Sequence, residues 1–215
     1  MSPGEIVHRV REPAGEPQGA LILMHGRGTD ESDLFPVLDF LDPEKRLLGV
    51  SPGAPIMDEP PGGKHWYRFM KVGHPEPESF RLTFEQLAQY LDDELEQHDI
   101  PWEKTVLGGF SQGAVMSYAC GLGQGRPRPA GILALSGFMP QVEGWSPDPA
   151  TAAGLPVFHA HGVADEVIPV QFAREARERL TELGADLTYR ETPMGHAIDP
   201  RLLPEAQEWV AERTA

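Results

Sequence analysis

Short apolar runs bounded by glycine and proline alternate along this chain with longer segments whose apolar residues recur every three or four positions. The runs at residues 19–25, 47–51, 105–110, 131–136 and 156–161 are apolar almost throughout, the pattern of strands covered on both faces. Residues 6–10 alternate like an edge strand, and residues 185–191 alternate like a further one. Between the runs, Phe84, Leu87, Leu91 and Leu95 fall at helical spacing over residues 80–97, with acidic and polar residues on the other face. Residues 172–183 and 203–213 read as two more helices. Residues 33–41 read as a short one, with Thr29 and Asp30 suited to capping it. Strands that alternate with helices need crossover connections. The pattern therefore predicts an α/β fold with a mostly parallel central sheet flanked by helices on both faces.

Two stretches break this rhythm. In residues 52–79 the run Pro60-Pro61-Gly62-Gly63 stops any helix, and His65, Trp66, Tyr67, Phe69 and Met70 cluster after it. Long connections without a pattern of their own are usually functional, so this one is expected to line a substrate cleft. Residues 138–154, with Trp145 and several prolines, are expected to form the opposite wall. No insertion is long enough for a helical lid, which predicts an open, shallow site.

The chemistry concentrates at Gly109-Phe110-Ser111-Gln112-Gly113, which follows an apolar strand and opens a helix on small residues. G-x-S-x-G in that setting is a nucleophile elbow, a tight turn that lifts a serine hydroxyl above the sheet. A serine needs a base to take its proton and an acid to orient that base. On this turn the partners follow in the order Ser, Asp or Glu, His. Asp165 lies just beyond the strand at 156–161, and His196 lies in the loop after the strand at 185–191, so both sit past carboxyl ends of strands. Ser111 is read as nucleophile, His196 as general base and then acid, and Asp165 as the orienting carboxylate. Asp186 opens a strand, Glu166 suits a solvent-facing position, and Asp199 and Asp148 suit turns. An oxyanion needs two N–H donors. The backbone of Gln112 is one, and Arg27 in the strand-terminating His25-Gly26-Arg27-Gly28 is the other.

Together with His161-Gly162-x-x-Asp165-x-x-Ile168-Pro169 and Met194-Gly195-His196, these motifs resemble the carboxylesterase, acyl-protein thioesterase and lysophospholipase-like branch of the α/β-hydrolases. The resemblance runs from the first strand to the last helix, with the motifs in the family's order. It implies the α/β-hydrolase fold with a minimal cap and cofactor-free hydrolysis of carboxylic esters or thioesters. It also implies that Trp66 and Tyr67 form a wall of the acyl pocket. Many relatives carry an apolar residue where this chain has Arg27, which bears on leaving-group preference rather than on the backbone donor.

Composition narrows the remaining choices. The length of 215 residues suits one domain spanning 1–215. A net charge of −15 argues against nucleic acid and against anionic membrane surfaces. Cys120 is the only cysteine, so no internal disulfide forms, and its helical neighbours place it in the core. The amino terminus lacks the basic start and apolar stretch of a secretory signal, and no run approaches a membrane span; a cytoplasmic protein is expected. The absence of asparagine and the excess of arginine over lysine fit heat adaptation and a GC-rich genome equally.

Three rival readings remain. His159, His161 and His196 could be imagined as zinc ligands, but no His-Glu helix motif accompanies them, so no metal is expected. A peptidase would need an extended cleft or an extra domain. A catalytically silent binding protein could keep the same fold. The expected partner is a small ester or thioester; lysophospholipid would pass through the same acyl-enzyme, and the oligomeric state stays open, a homodimer included.

Overall fold

The computed structural model describes residues 4–57 and 62–215, so Pro60 and Pro61 of the helix-breaking run lie outside the described residues, as do the first three residues. Its strands are β1 (His8–Arg11), β2 (Ala20–Met24), β3 (Leu48–Pro52), β4 (Phe69–Lys71), β5 (His74–Pro75), β6 (Thr105–Phe110), β7 (Gly131–Leu135), β8 (Pro156–Gly162) and β9 (Asp186–Thr192). The helices are α1 (Phe35–Leu41), α2 (Pro77–Gln97), α3 (Gln112–Leu122), α4 (Pro149–Ala152), α5 (Val170–Glu182) and α6 (Leu203–Arg213). Seven strands form one sheet in the order β1-β3-β2-β6-β7-β8-β9. Within this sheet only β1 runs antiparallel to its neighbour; the other five pairs are parallel.

The apolar runs have the cause that their pattern suggested. All five residues of β2 are buried, and they divide by alternation between two cores. Leu21 and Leu23 meet Leu38 and Leu41 of α1 and Trp209 and Val210 of α6 on one face. Ile22 and Met24 meet Leu87 and Leu91 of α2 and Val115 and Met116 of α3 on the other. Farther along that face, α3 and α5 cover Ile132 and Val157 through Tyr118, Ala176 and Leu180. Truncating a fully buried leucine such as Leu91 to alanine costs about 2–5 kcal/mol, a large part of a domain's net stability.

Element ends depart from the sequence pattern where local hydrogen bonds compete. Helix α1 begins at Phe35, and its cap position, Leu34, offers no side-chain bond. Asp30 accepts instead from the Ser32 N–H at 2.8 Å, and the Thr29 hydroxyl donates to the Gly26 carbonyl at 3.1 Å. Helix α2 starts earlier than its apolar periodicity, because Glu76 accepts from the N–H groups of Glu78 and Ser79 and Pro77 needs no donor. The irregular stretch 52–79 contains the small antiparallel hairpin β4–β5. Residues 138–154 end in the single turn of α4, capped by Asp148.

Strand order also locates the cleft. After β2 the chain leaves through α1 on one face and returns as β3; after β6 it leaves through α3 on the other face and returns as β7. Adjacent strands whose connections part to opposite faces leave a crevice beyond their carboxyl ends. The loop following Met24 and the turn at Ser111 border that crevice.

Candidate active site

Ser111 sits between β6 and α3 with φ 56° and ψ −120°. A non-glycine residue held at positive φ costs on the order of 1–3 kcal/mol, which the surrounding structure must offset. Two bonds help to do so: the Ser111 N–H donates to the Leu135 carbonyl at 2.9 Å, and the Val115 N–H donates to the Ser111 carbonyl at 3.2 Å. The flanking glycines permit the close approach. A Cβ on Gly113 would lie 1.9 Å from the Met24 carbonyl oxygen, and one on Gly109 would lie 2.4 Å from the Gly113 carbonyl carbon. Either side chain would push the turn off the sheet.

His196 reaches this serine from the loop after β9. Its Nε2 lies 3.0 Å from Ser111 Oγ and its Nδ1 lies 2.7 Å from Asp165 Oδ2. Nδ1–H therefore donates to the carboxylate, and Nε2 is left with a lone pair facing the hydroxyl. Phe110 packs on the imidazole with ring centroids 4.8 Å apart. Asp165 is fixed by its own turn, since Oδ1 accepts from the N–H groups of Val167 at 2.9 Å and Ile168 at 2.8 Å. Below it, His161 Nε2–H donates to the Ile168 carbonyl at 2.8 Å and stands 3.3 Å from Asp165 Oδ2. Burial lowers the pKa of His161, so it favours the neutral ring, against the opposing pull of the Ile168 carbonyl and Asp165.

The cleft above Ser111 has an empty volume of about 700 Å³, mouth included. Arg27 and Gln112 line it beside Ser111 and His196. Tyr67, Phe138, Val167 and Ile168 supply apolar wall, and Phe69 and Val72 of the hairpin with its turn complete it. The Arg27 guanidinium lies over the Phe69 ring, 4.9 Å from its centroid. Trp66 requires a correction. It is fully buried and lines no part of the cleft, because its indole N–H finds the buried His25 carbonyl at 2.8 Å. The wall expected from residues 138–154 also shrinks to Phe138, since the Trp145 indole turns away to the Ala119 carbonyl at 3.2 Å. Val167 and Ile168 are further walls, which the sequence pattern does not announce. Their signal was their place in the turn that Asp165 caps.

The other carboxylates stand apart from this chain of bonds. Glu166 and Asp186 are exposed, Asp148 caps α4, and Asp199 caps the turn Pro200–Leu202. Of the two strand histidines, only His161 approaches the site, and His159 Nδ1 pairs with the Tyr118 hydroxyl at 2.8 Å. Burial, with His161 adding to it, pushes the His159 pKa down to about 3. Among the described residues no three His, Cys, Asp or Glu side chains are grouped to hold a metal ion. Cys120 is buried, and burial pushes its thiol up to about 12, where it is no nucleophile at neutral pH.

This sheet order, with a serine turn after β6 and the loops of β2, β8 and β9 gathered around it, is that of the α/β-hydrolase fold. The phospholipase/carboxylesterase family pattern matches residues 6–213, and the chain belongs to that family. It is 29% identical to an acyl-protein thioesterase 1 of Debaryomyces hansenii over 220 aligned positions, covering 94% of each chain. In structure it is similar to a Bacillus cereus carboxylesterase, with TM-score 0.84 and 21% identity over 97% of this chain and 94% of the other. Zea mays acyl-protein thioesterase 2 superposes with TM-score 0.77 and 22% identity over 97% and 99%. The protein is thus a hydrolase of the esterase and thioesterase kind. Among the described residues no helix is long and apolar enough to cross a membrane.

Proposed function

We propose that this protein, one domain over residues 1–215, hydrolyses carboxylic esters of short to medium acyl chains through an acyl-enzyme on Ser111. The observation that carries the reading is one imidazole standing 3.0 Å from the Ser111 hydroxyl and 2.7 Å from the Asp165 carboxylate. Ser111 Oγ attacks the acyl carbon while His196 Nε2 takes its proton, and Asp165 stabilises the imidazolium that forms. The N–H groups of Gln112 and Arg27 receive the negative oxygen of the tetrahedral intermediate. Gln112 opens α3, so its N–H is one of the helix's unpaired amino-terminal donors at the positive end of the dipole. His196 then returns the proton to the leaving oxygen, the acyl group stays on Ser111, and water activated by the same imidazole releases the acid.

A thioester would follow the same path with a thiol leaving group. The similarity to acyl-protein thioesterase 1 of Debaryomyces hansenii favours this second reading. The apolar wall of Tyr67, Phe138 and Ile168 supports an acyl chain as the recognised part, and the open mouth supports chains of limited length.

A fluorophosphonate probe tests the reading, because it requires an activated serine. The parent is expected to be labelled and Ser111→Ala is not. Activity against p-nitrophenyl acetate, butyrate, octanoate and laurate beside an acyl-thioester then ranks chain length and leaving group. An unlabelled parent inactive on all of them would leave a silent binding protein.

A further inference from the structure

Three buried hydrogen bonds near Ser111 belong neither to the proton chain nor to any strand. Gln112 Oε1 accepts from the backbone N–H of Trp66 at 3.0 Å, and Gln112 Nε2 donates to the Tyr67 carbonyl at 2.9 Å. The carboxamide thus pairs with residues 66 and 67 as a neighbouring peptide group would. The third bond runs from the Trp66 indole N–H to the His25 carbonyl at 2.8 Å. His25 is itself fixed: its Nδ1 lies 2.6 Å from the Gly26 carbonyl, and its Nε2 accepts from the Ala54 N–H at 3.0 Å. Its ring lies 5.3 Å from the Trp66 ring, centroid to centroid. Burial lowers the His25 pKa, which keeps Nε2 an acceptor.

The two ends of this bridge carry the two donors assigned to the oxyanion. Gln112 supplies one through its own backbone. His25 opens the loop in which Arg27 supplies the other. We infer that Trp66 is a positioning residue that sets the spacing of those two donors, tied to the elbow by Gln112 and to the Arg27 loop by its indole N–H. The inference rests on the proposed hydrolysis and adds to it a reason for a tryptophan that substrate never touches. An oxyanion hole works only when both N–H groups sit about 2.7–3.1 Å from one oxygen that exists in the transition state. Misplacement by about 1 Å can cost roughly a hundredfold in rate. Phenylalanine at this position would preserve most of the buried ring but leave the His25 carbonyl without its donor.

Trp66→Phe tests this against the expected wall role. Its kcat on p-nitrophenyl acetate should fall about 10- to 100-fold with KM nearly unchanged. The affinity for an acyl trifluoromethyl ketone, which forms an oxyanion on Ser111, should fall in parallel with kcat/KM. Gln112→Leu breaks the bridge from the other side, keeps its backbone donor, and should show the same split. The double variant should lose less than the product of the two single effects, because both cut one linkage. Parent values of kcat and ketone affinity in both folded variants would overturn the inference and leave the proposed hydrolysis standing. A raised KM with intact kcat would also overturn it, placing Trp66 in substrate binding. A parent that neither turns over esters nor takes the fluorophosphonate would overturn both.

Discussion

The floor and the outer wall of the cleft are built in opposite ways. On the floor, both oxygens of Asp165, both nitrogens of His196 and the hydroxyl of Ser111 each have a hydrogen-bond partner inside the protein. These groups hang from β6, β8 and β9, inside or at the edge of the parallel sheet. The outer wall is the hairpin β4–β5, a two-stranded ribbon with an irregular register. Phe69 is 42% exposed, Met70 82% and Val72 38%. An isolated ribbon of this size is marginal by itself, and this one leans on the body through the Phe172 ring at Gly73 and on Arg27 at Phe69. The contrast teaches where change is tolerated. On the proposed hydrolysis, the reacting groups take their fixed geometry from the core, whereas chain-length preference can be altered on a surface ribbon at little cost in stability.

The largest expected effect breaks the floor. Asp165→Asn leaves the volume intact but presents an N–H to His196 Nδ1 and stabilises the wrong tautomer. A fall of about 10⁴ in kcat is expected, read on a p-nitrophenyl ester with an unchanged circular dichroism spectrum. A loss of only a few fold would mean that the floor is not held as described.

A second effect concerns the buried histidine behind it. His159 is neutral in the folded protein down to about pH 3, whereas an unfolded histidine takes a proton near pH 6.5. Between those values the unfolded state binds the extra proton, so stability rises with pH and is lost as pH falls below about 6.5. His161, also lowered by burial, acts in the same direction. Urea unfolding between pH 7 and 5 should show a decline of up to about 1.4 kcal/mol per pH unit for each such histidine. That range lies above the one in which Glu191, held down to about 2 by Arg174, takes up its proton. His159→Phe should flatten the slope; a slope equal to the parent's would contradict the assignment.

The smallest effect sharpens the other half of the comparison. Phe69→Ala and Val72→Ala should lower kcat/KM for octanoate and laurate esters about fourfold for each methylene left unshielded, ~0.8 kcal/mol. Acetate turnover and the urea midpoint should stay at parent values. A large loss of stability would mean that the hairpin is part of the core after all.

The fold was largely legible because its signals are local. Strand β6 and helix α6 fall on the expected residues, and the remaining sheet strands and α5 within a few positions, since unbroken apolar runs and helical spacing report burial directly. The hairpin was not legible. Four of its five strand residues are exposed, with no alternation to read, and α2, capped by Glu76, starts immediately after it. Thr29 and Asp30 carried a true capping composition, yet turn bonds to Gly26 and Ser32 captured them.

At the site, glycine signatures at a tight turn and in loops beyond strand ends, in a fixed chain order, single out Ser111, Asp165 and His196 as candidates, and the fold brings their side chains together. The family resemblance also implied that Trp66 and Tyr67 share one wall of the pocket. Only the tertiary structure separated them, sending the indole to His25 across 41 residues and the backbone to Gln112 across 46. The 85-residue span closed by the bond between His196 and Ser111 was decided in the same way. Patterns along a chain record which residues are buried; which buried donor meets which acceptor depends on the packing of distant segments, and nothing in the local sequence encodes that choice.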